Sequence, residues 1–493
     1  MSGLRQGLLH LPGSTYETKT TLERLLAEDL EKHHCFYTPI RFHNHLNHHL
    51  LAAYDMGAPA TLLQKIYDQE SPSLSPINLI DREKNITGAL DLTITRDNWA
   101  KHLGPEKNYI GFFAFFKGEI EEKGVPSVLE EYLFTEKANA HGADMLLRLV
   151  GGAVHPFIDL GYGVEFNQPM IVASALAQTC ITAPMPSEFY DNSPTQSPPS
   201  PAGNTTLPKG ARNPTHGGLP LLQILKLAYD SDIMKPPMPY NPSLNISQRR
   251  HISMVSGRPE EIARLSALWG VSASSLTDKE CDERAEEFIW LAVLLLAGTG
   301  KEGRKPRLDF FLMHLVTSSI FVPSLLKALP STDAKAQLLR ILPALALYWL
   351  TIRGRPRINP RLLMSYSAYP HPPSVLGDPR EPGQTNPWPA IVASVMHAPE
   401  AHVLKAVRTL YYAAGMYGET PAGGVVGAFA LIDGKEGKEV KETHAGMAEV
   451  DGTIFVRAAG VVMDTLGWVT HGQKEGKWDR SALGWEDAWK DGN

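Results

Sequence analysis

Apolar residues in this 493-residue chain recur at three- and four-residue intervals almost everywhere, and almost nowhere do they alternate with polar ones. The first pattern is the stripe of a helix, the second the face of a strand. Residues 21–34 (TLERLLAEDLEKHH) place Leu22, Leu25, Leu26 and Leu30 on one stripe. The same reading covers 59–68, 125–134, 143–149, 169–181, 221–229, 259–268, 282–297, 308–329, 334–352, 389–396 and 402–414, with Pro323 kinking or dividing its segment. Short strands are predicted only at 428–432 and 453–456. The expected fold is mainly α, most simply a single large helical domain over 1–493, with a two-lobed helical array as the alternative.

Two apolar runs, 288–298 (FIWLAVLLLAG) and 341–352 (ILPALALYWLTI), fall short of the roughly 18–20 residues that a membrane span needs, so they read as buried core helices. Residues 184–218 contain SPTQSPPSPAGNTTLPKGARNPTHGG, too rich in Pro, Ser and Gly to pack a core, and read as a disordered or mobile insertion. A second Pro-rich connection, 366–389, reads as an ordered loop or a lid. The N-terminus carries no signal-peptide pattern, and Cys35, Cys180 and Cys281 are too scattered for a disulfide framework. A cytoplasmic protein is expected. A net charge of −6 without a basic block argues against nucleic acid as a partner. Oligomeric state is not legible.

Chemistry concentrates first in His43-Asn44-His45-Leu46-Asn47-His48-His49. Neutral imidazole is the commonest metal ligand, and on a helix His45 and His49 stand one turn apart and share a face. Gly57 is a natural stop for that helix. Each histidine alone could be a satisfied core residue; four in seven positions favour a metal.

His155, in GGAVHPFIDLGYGVEF, and His314, in DFFLMHLVTSS, sit amid apolar residues. Each is either a ligand or a core histidine bonded to a carbonyl or hydroxyl. In EAHVLKAVR, His402 and Lys405 share a helix face that should turn inward. A buried lysine loses its proton readily and can then take up carbon dioxide to give a carbamate, a carboxylate-like ligand. The other reading has Lys405 reaching the surface or pairing with Glu400.

The segments HNHLNHHLLAAYDMGAP, HPFIDLGYGVEF, DFFLMHLVTSS and AHVLKAVRTLYYAAG resemble the recurring blocks of the questin oxidase-like family, from about Phe36 to Trp468. That family includes fungal Baeyer–Villiger-type oxidases of anthraquinone and anthrone pathways. The resemblance implies a mostly helical fold and a mononuclear non-heme Fe(II) site of histidines with a carboxylated lysine. It also implies oxidative ring cleavage of an aromatic polyketide by O₂ in secondary metabolism. Its candidate ligands are His45, His49, His155, His314, His402 and Lys405, of which one histidine is in excess. NADPH is an optional reductant, and neither flavin nor heme is expected.

Gly298-Thr299-Gly300-Lys301-Glu302-Gly303 fits the GxGxxG string but follows a helical run, so it is no dinucleotide fingerprint. Two enzymatic alternatives remain open: an NADPH-dependent Baeyer–Villiger-type oxidase without iron, and a Zn or Mn hydrolase on the same His/Lys cluster. A metal-free helical scaffold is the third. Tyr162, Tyr411, Tyr412, Phe310 and Phe311 are candidates for stacking on a flat substrate.

Overall fold

The computed structural model describes residues 3–37, 42–77, 93–190, 207–373, 385–434 and 437–490. These residues are mainly α-helical, with two short antiparallel hairpins among them. Contacts divide the chain into two compact units. The first takes Met1–Ser187, Phe321–Lys335 and Pro399–Arg408; the second takes Glu188–Ile320, Ala336–Ala398 and Thr409–Asn493. No single cut in the sequence separates them, which is why no linker stands out along the chain.

In the first unit the Pro169–Ile181 helix packs against both Tyr109–Lys123 and His155–Glu165. Its apolar residues run all round it, as expected of a helix covered on several sides. Close approach is built from glycine: a Cβ on Gly163 would lie 2.8 Å from the Val172 side chain, and Gly161 admits the Phe321 ring. Tyr16–Lys32, Leu46–Asp55 and Ala60–Glu70 pack on one another. The first of these begins where Thr15 accepts a hydrogen bond from the Thr18 amide.

In the second unit the Asp278–Ala297 helix, capped by Thr277, packs against Phe310–Ser319 and Ile454–Leu466. The apolar runs at 288–298 and 341–352 are buried throughout, as the sequence predicts. Among the described residues, no single helix is long and apolar enough to cross a membrane.

Helix 169–181 matches its predicted bounds, and Pro323 divides 308–329 into Phe310–Ser319 and Val322–Ala328 as expected. The strand at 428–432 is found as Phe429–Gly434, paired with Gly437–Glu442. The strand at 453–456 is not: those residues open the Ile454–Leu466 helix. A short apolar run such as Ile454-Phe455-Val456 has no periodicity of its own, and the Ala458, Ala459 and Val462 that follow give it a helical face.

Of the predicted 184–218 insertion, residues 184–190 and 207–218 are described. Residues 191–206 lie outside the described residues, as do 374–384 of the second Pro-rich connection. Residues 212–218 are firmly tied. Arg212 pairs with Glu286, the Thr215 amide and hydroxyl donate to Glu283 at 2.7 and 2.8 Å, and buried His216 meets Glu287 at 2.6 Å. Composition predicted too little apolar surface for packing; charged groups anchor the segment instead.

Candidate metal centre

The site is built in the first unit from three helix starts. The Leu46–Asp55 helix begins at His45, the His155–Glu165 helix at His155, and the Ala401–Tyr417 helix one residue before His402. Phe42 and His43 are not helical but pair with Phe36 and Tyr37 in a hairpin, and the Asn44 side chain accepts from the Leu46 amide at the helix entry. His45 is therefore the cap that precedes the helix, its carbonyl accepting from the His49 amide at 2.9 Å. A carboxylate takes His49 elsewhere: its Nδ1 bonds Glu70.

The entry to His155 is strained. Gly152, Ala153 and Val154 have φ of 54°, 53° and 67° in succession. Left-handed backbone is natural for glycine and costly for a β-branched residue. This turn lets the His155 Nδ1–H donate to the Gly152 carbonyl at 2.7 Å. A carbonyl only accepts, so Nδ1 holds the proton of the neutral ring and the lone pair sits on Nε2. His155 Nε2 lies 2.9 Å from His45 Nε2. His402 is set in the same way, its Nδ1 bonded to the Glu400 carboxylate.

One ring nitrogen from each of His45, His155 and His402 lies within 4.8 Å of the others. Around them, His43 stacks on His155 with ring centroids 3.9 Å apart, and His48 meets His45 edge-on at 5.7 Å. His48 Nε2 donates to Asp159 at 2.7 Å, and Asn47 donates to the same oxygen at 3.0 Å.

Burial holds these rings neutral. It pushes His43 down to about 3 and His402 to about 4, the latter against the pull of Glu400. His45 falls well below the usual imidazole range through burial and then the nearby Lys405 charge, and burial lowers His48 against Asp159. Lys405, only 2% exposed, is pushed down to about 8 by burial, opposed by Glu400, Asp159 and Glu70. Its charge lowers His43, His45, His48 and His402 alike.

Of the six predicted ligands, the structure brings together His45, His155, His402 and Lys405. His49 turns to Glu70. His314 belongs to the second unit, fully buried, with its Nδ1 donating to the Phe310 carbonyl at 2.8 Å. Asp159 and Glu70 escaped the sequence reading; His43 and His48 were read only as part of the histidine cluster, and Glu400 only as a partner for Lys405. Asp159 could have been found, since it stands one helical turn beyond His155. The stacking candidates are used in packing. Tyr162 is buried against His48 and Phe321, Tyr411 meets Trp388, and Phe311 stacks on Trp349.

The donor set fits a metal ion. Neutral imidazoles present nitrogen lone pairs to one point, and oxygen acceptors behind His155 and His402 fix their tautomers, as around metal-bound histidines. A second group, His216 with Glu283 and Glu287 in the second unit, lacks that character. His216 Nδ1 accepts from the Gly218 amide at 3.2 Å, so Nε2 carries a proton to Glu287 and has no lone pair to offer.

The model of the questin oxidase-like family matches residues 42–410. A questin oxidase of Aspergillus fumigatus is 29% identical over 344 residues, covering 70% of this chain and 72% of its own. A Baeyer-Villiger monooxygenase of a Cryptosporiopsis species is 27% identical over 363 residues, covering 73% and 76%. A Baeyer-Villiger oxidase of Paecilomyces divaricatus is 25% identical over 369 residues, covering 73% and 74%.

Proposed function

The chain belongs to the questin oxidase-like family of oxidoreductases, and from that premise we propose that it is a non-heme iron oxygenase that cleaves a ring of an aromatic polyketide of the anthraquinone or anthrone type. The observation that carries this reading is the convergence of His45, His155 and His402 around buried Lys405.

His45, His155 and His402 would hold the iron, with Lys405 as its carbamate. Imidazole nitrogens with one carboxylate-like oxygen suit ferrous iron. When bound, iron supplies the one-electron chemistry that lets triplet O₂ react with a closed-shell phenol or enol.

The chain's own residues prepare this site. Lys405 with its affinity for protons lowered to about 8 is neutral in about one molecule in ten at pH 7. Its free amine can attack carbon dioxide, forming an N–C bond and releasing one proton. The resulting anion would sit where three helices begin, and their positive ends favour negative charge. The same field favours a phenolate or enolate form of substrate.

The test is elemental analysis of protein purified without oxygen, together with turnover of hydroxylated anthraquinones under O₂. About one iron per chain, lost with turnover in His155→Ala, is the expected result. Zinc or manganese at that level, with no gain of activity on iron reconstitution, would move the assignment to hydrolysis. Full iron and activity in His155→Ala would remove that ligand.

A further inference from the structure

At the far ends of the site helices lies a buried ionic cluster that ligand chemistry leaves unused. The Leu46–Asp55 helix starts at the site and ends at Asp55; the His155–Glu165 helix starts there and ends at Glu165. Arg408, one turn beyond Lys405, joins them. Its Nε donates to Asp55 Oδ2 at 2.8 Å and its Nη2 to Glu165 Oε1, with all three side chains at most 2% exposed.

The N-terminal segment completes this cluster. The Leu8 amide donates to Glu165 at 2.8 Å, the His10 amide to Asp55 at 2.8 Å, and the Leu9 amide to both Asp55 oxygens at 3.2 Å. The Leu11 amide reaches the Asp55 carbonyl at 2.9 Å, and the Arg5 amide the Phe166 carbonyl at 3.0 Å. Gly7 lies directly on Asp55, where a Cβ would collide with the carboxylate and approach Phe166 to 2.7 Å.

Stability alone does not account for this arrangement. Buried ions lose hydration, and an apolar trio of equal volume often packs better. Both carboxylates also stand at helix C-termini, where the helix dipole opposes negative charge. What the cluster does provide is fixed geometry, because a guanidinium fork bridging two carboxylates tolerates little displacement. It also reaches inward: Arg408 lies 5.5 Å from the Tyr162 ring, which in turn stacks on His48 at 5.1 Å.

We infer that Arg408 is a positioning residue for the metal centre, and that Asp55, Glu165 and the amides of Leu8, Leu9 and His10 form a clamp that fixes the three helices carrying His45, His155, His402 and Lys405. This rests on the metal reading above for its consequence, though not for its geometry. Lysine in place of Arg408 keeps the charge but cannot bridge both carboxylates. Alanine in place of Gly7 leaves every ion in place and lifts the segment from Asp55.

The experiment measures Arg408→Lys and Gly7→Ala in the full chain, well below their melting temperatures. Two readouts are taken: Co(II) affinity with its visible ligand-field spectrum, and the ring-nitrogen NMR signals of the histidines in metal-free protein. The expected result is Co(II) binding weaker by about ten-fold or more, with shifted bands. The ring signals of His45, His155 and His402 should move while that of His216 stays. If both variants melt earlier yet keep Co(II) affinity, spectrum and ring signals, the cluster is a brace and the inference falls. Should Arg408→Lys not fold, Gly7→Ala decides by the same readouts. If the unaltered protein takes up neither cobalt nor iron, the proposed function fails, and the ring signals alone still decide whether the clamp positions the histidines.

Discussion

Val154 and Ala153 hold left-handed backbone immediately before a candidate ligand, and neither has the glycine freedom that makes such angles easy. Ala153 is partly exposed, with φ 53° and ψ 40°, so its substitution by glycine removes strain without opening a cavity. Ala153→Gly should leave stability unchanged or raise it by about 1 kcal/mol, read by denaturant titration. A fall of similar size would mean that the turn is not strained. At the same scale, His402→Ala should abolish iron retention while the protein stays folded, read by elemental analysis beside circular dichroism. His48→Ala should keep part of its metal, since its imidazole faces Asp159. The sequence reading put His45 and His49 on one helix face, whereas the structure groups His45 with His155 and His402. His45 and His49 share a face only if both are helical, and the hairpin Phe36–Tyr37 with Phe42–His43 delays the helix to Leu46. Nothing in those seven residues announces a two-residue strand, because its partner, Phe36–Tyr37, lies outside them.

Helix positions were legible wherever the apolar stripe was long, and helix ends wherever a cap or proline marked them. The Tyr109–Lys123 helix escaped because five aromatic residues in YIGFFAFF blur its stripe. Partners of charged side chains were not legible, because ion pairs are set by tertiary approach. The Asp278–Ala297 helix shows what this conceals: Glu283, Glu286 and Glu287 hold residues 212–218. Glu287 also accepts from the Leu221 amide at 2.8 Å and the Trp269 indole at 3.4 Å. Glu287→Ala leaves three buried donors without their acceptor and should destabilise by about 2–5 kcal/mol. Limited proteolysis should then cut near 207–218 first. Unchanged resistance there would show that the carboxylate is dispensable as an anchor.

Acid should act on the molecule through its neutral histidines. His444 in the second unit is pushed down to about 4 by burial, with Lys226 lowering it further, Asp230 opposing and Arg357 adding to the fall. His43 and His402 in the first unit move the same way. An unfolded histidine titrates near 6.5, so between about 4 and 6.5 the unfolded chain binds protons that the folded one refuses. Stability is therefore full above pH 6.5 and drains as pH falls toward 4, by roughly 3 kcal/mol for His444 alone as an upper figure. The melting temperature of metal-free protein should drop steeply across that window, and His444→Gln should flatten part of the slope. A flat profile from pH 7 to 4 would contradict the burial of these rings.

The first unit draws on Pro399–Arg408, far along the chain from His45 and His155. During synthesis at about 5–20 residues per second, the stretch from His155 to His402 occupies roughly ten to fifty seconds. Throughout that interval the nascent chain displays two imidazoles that lack their third partner, their lysine and the arginine that ties their helices together. If the proposed metal is held there, its capture waits until Pro399–Arg408 has been made, and a chain stalled before Pro399 would lack His402 and Lys405.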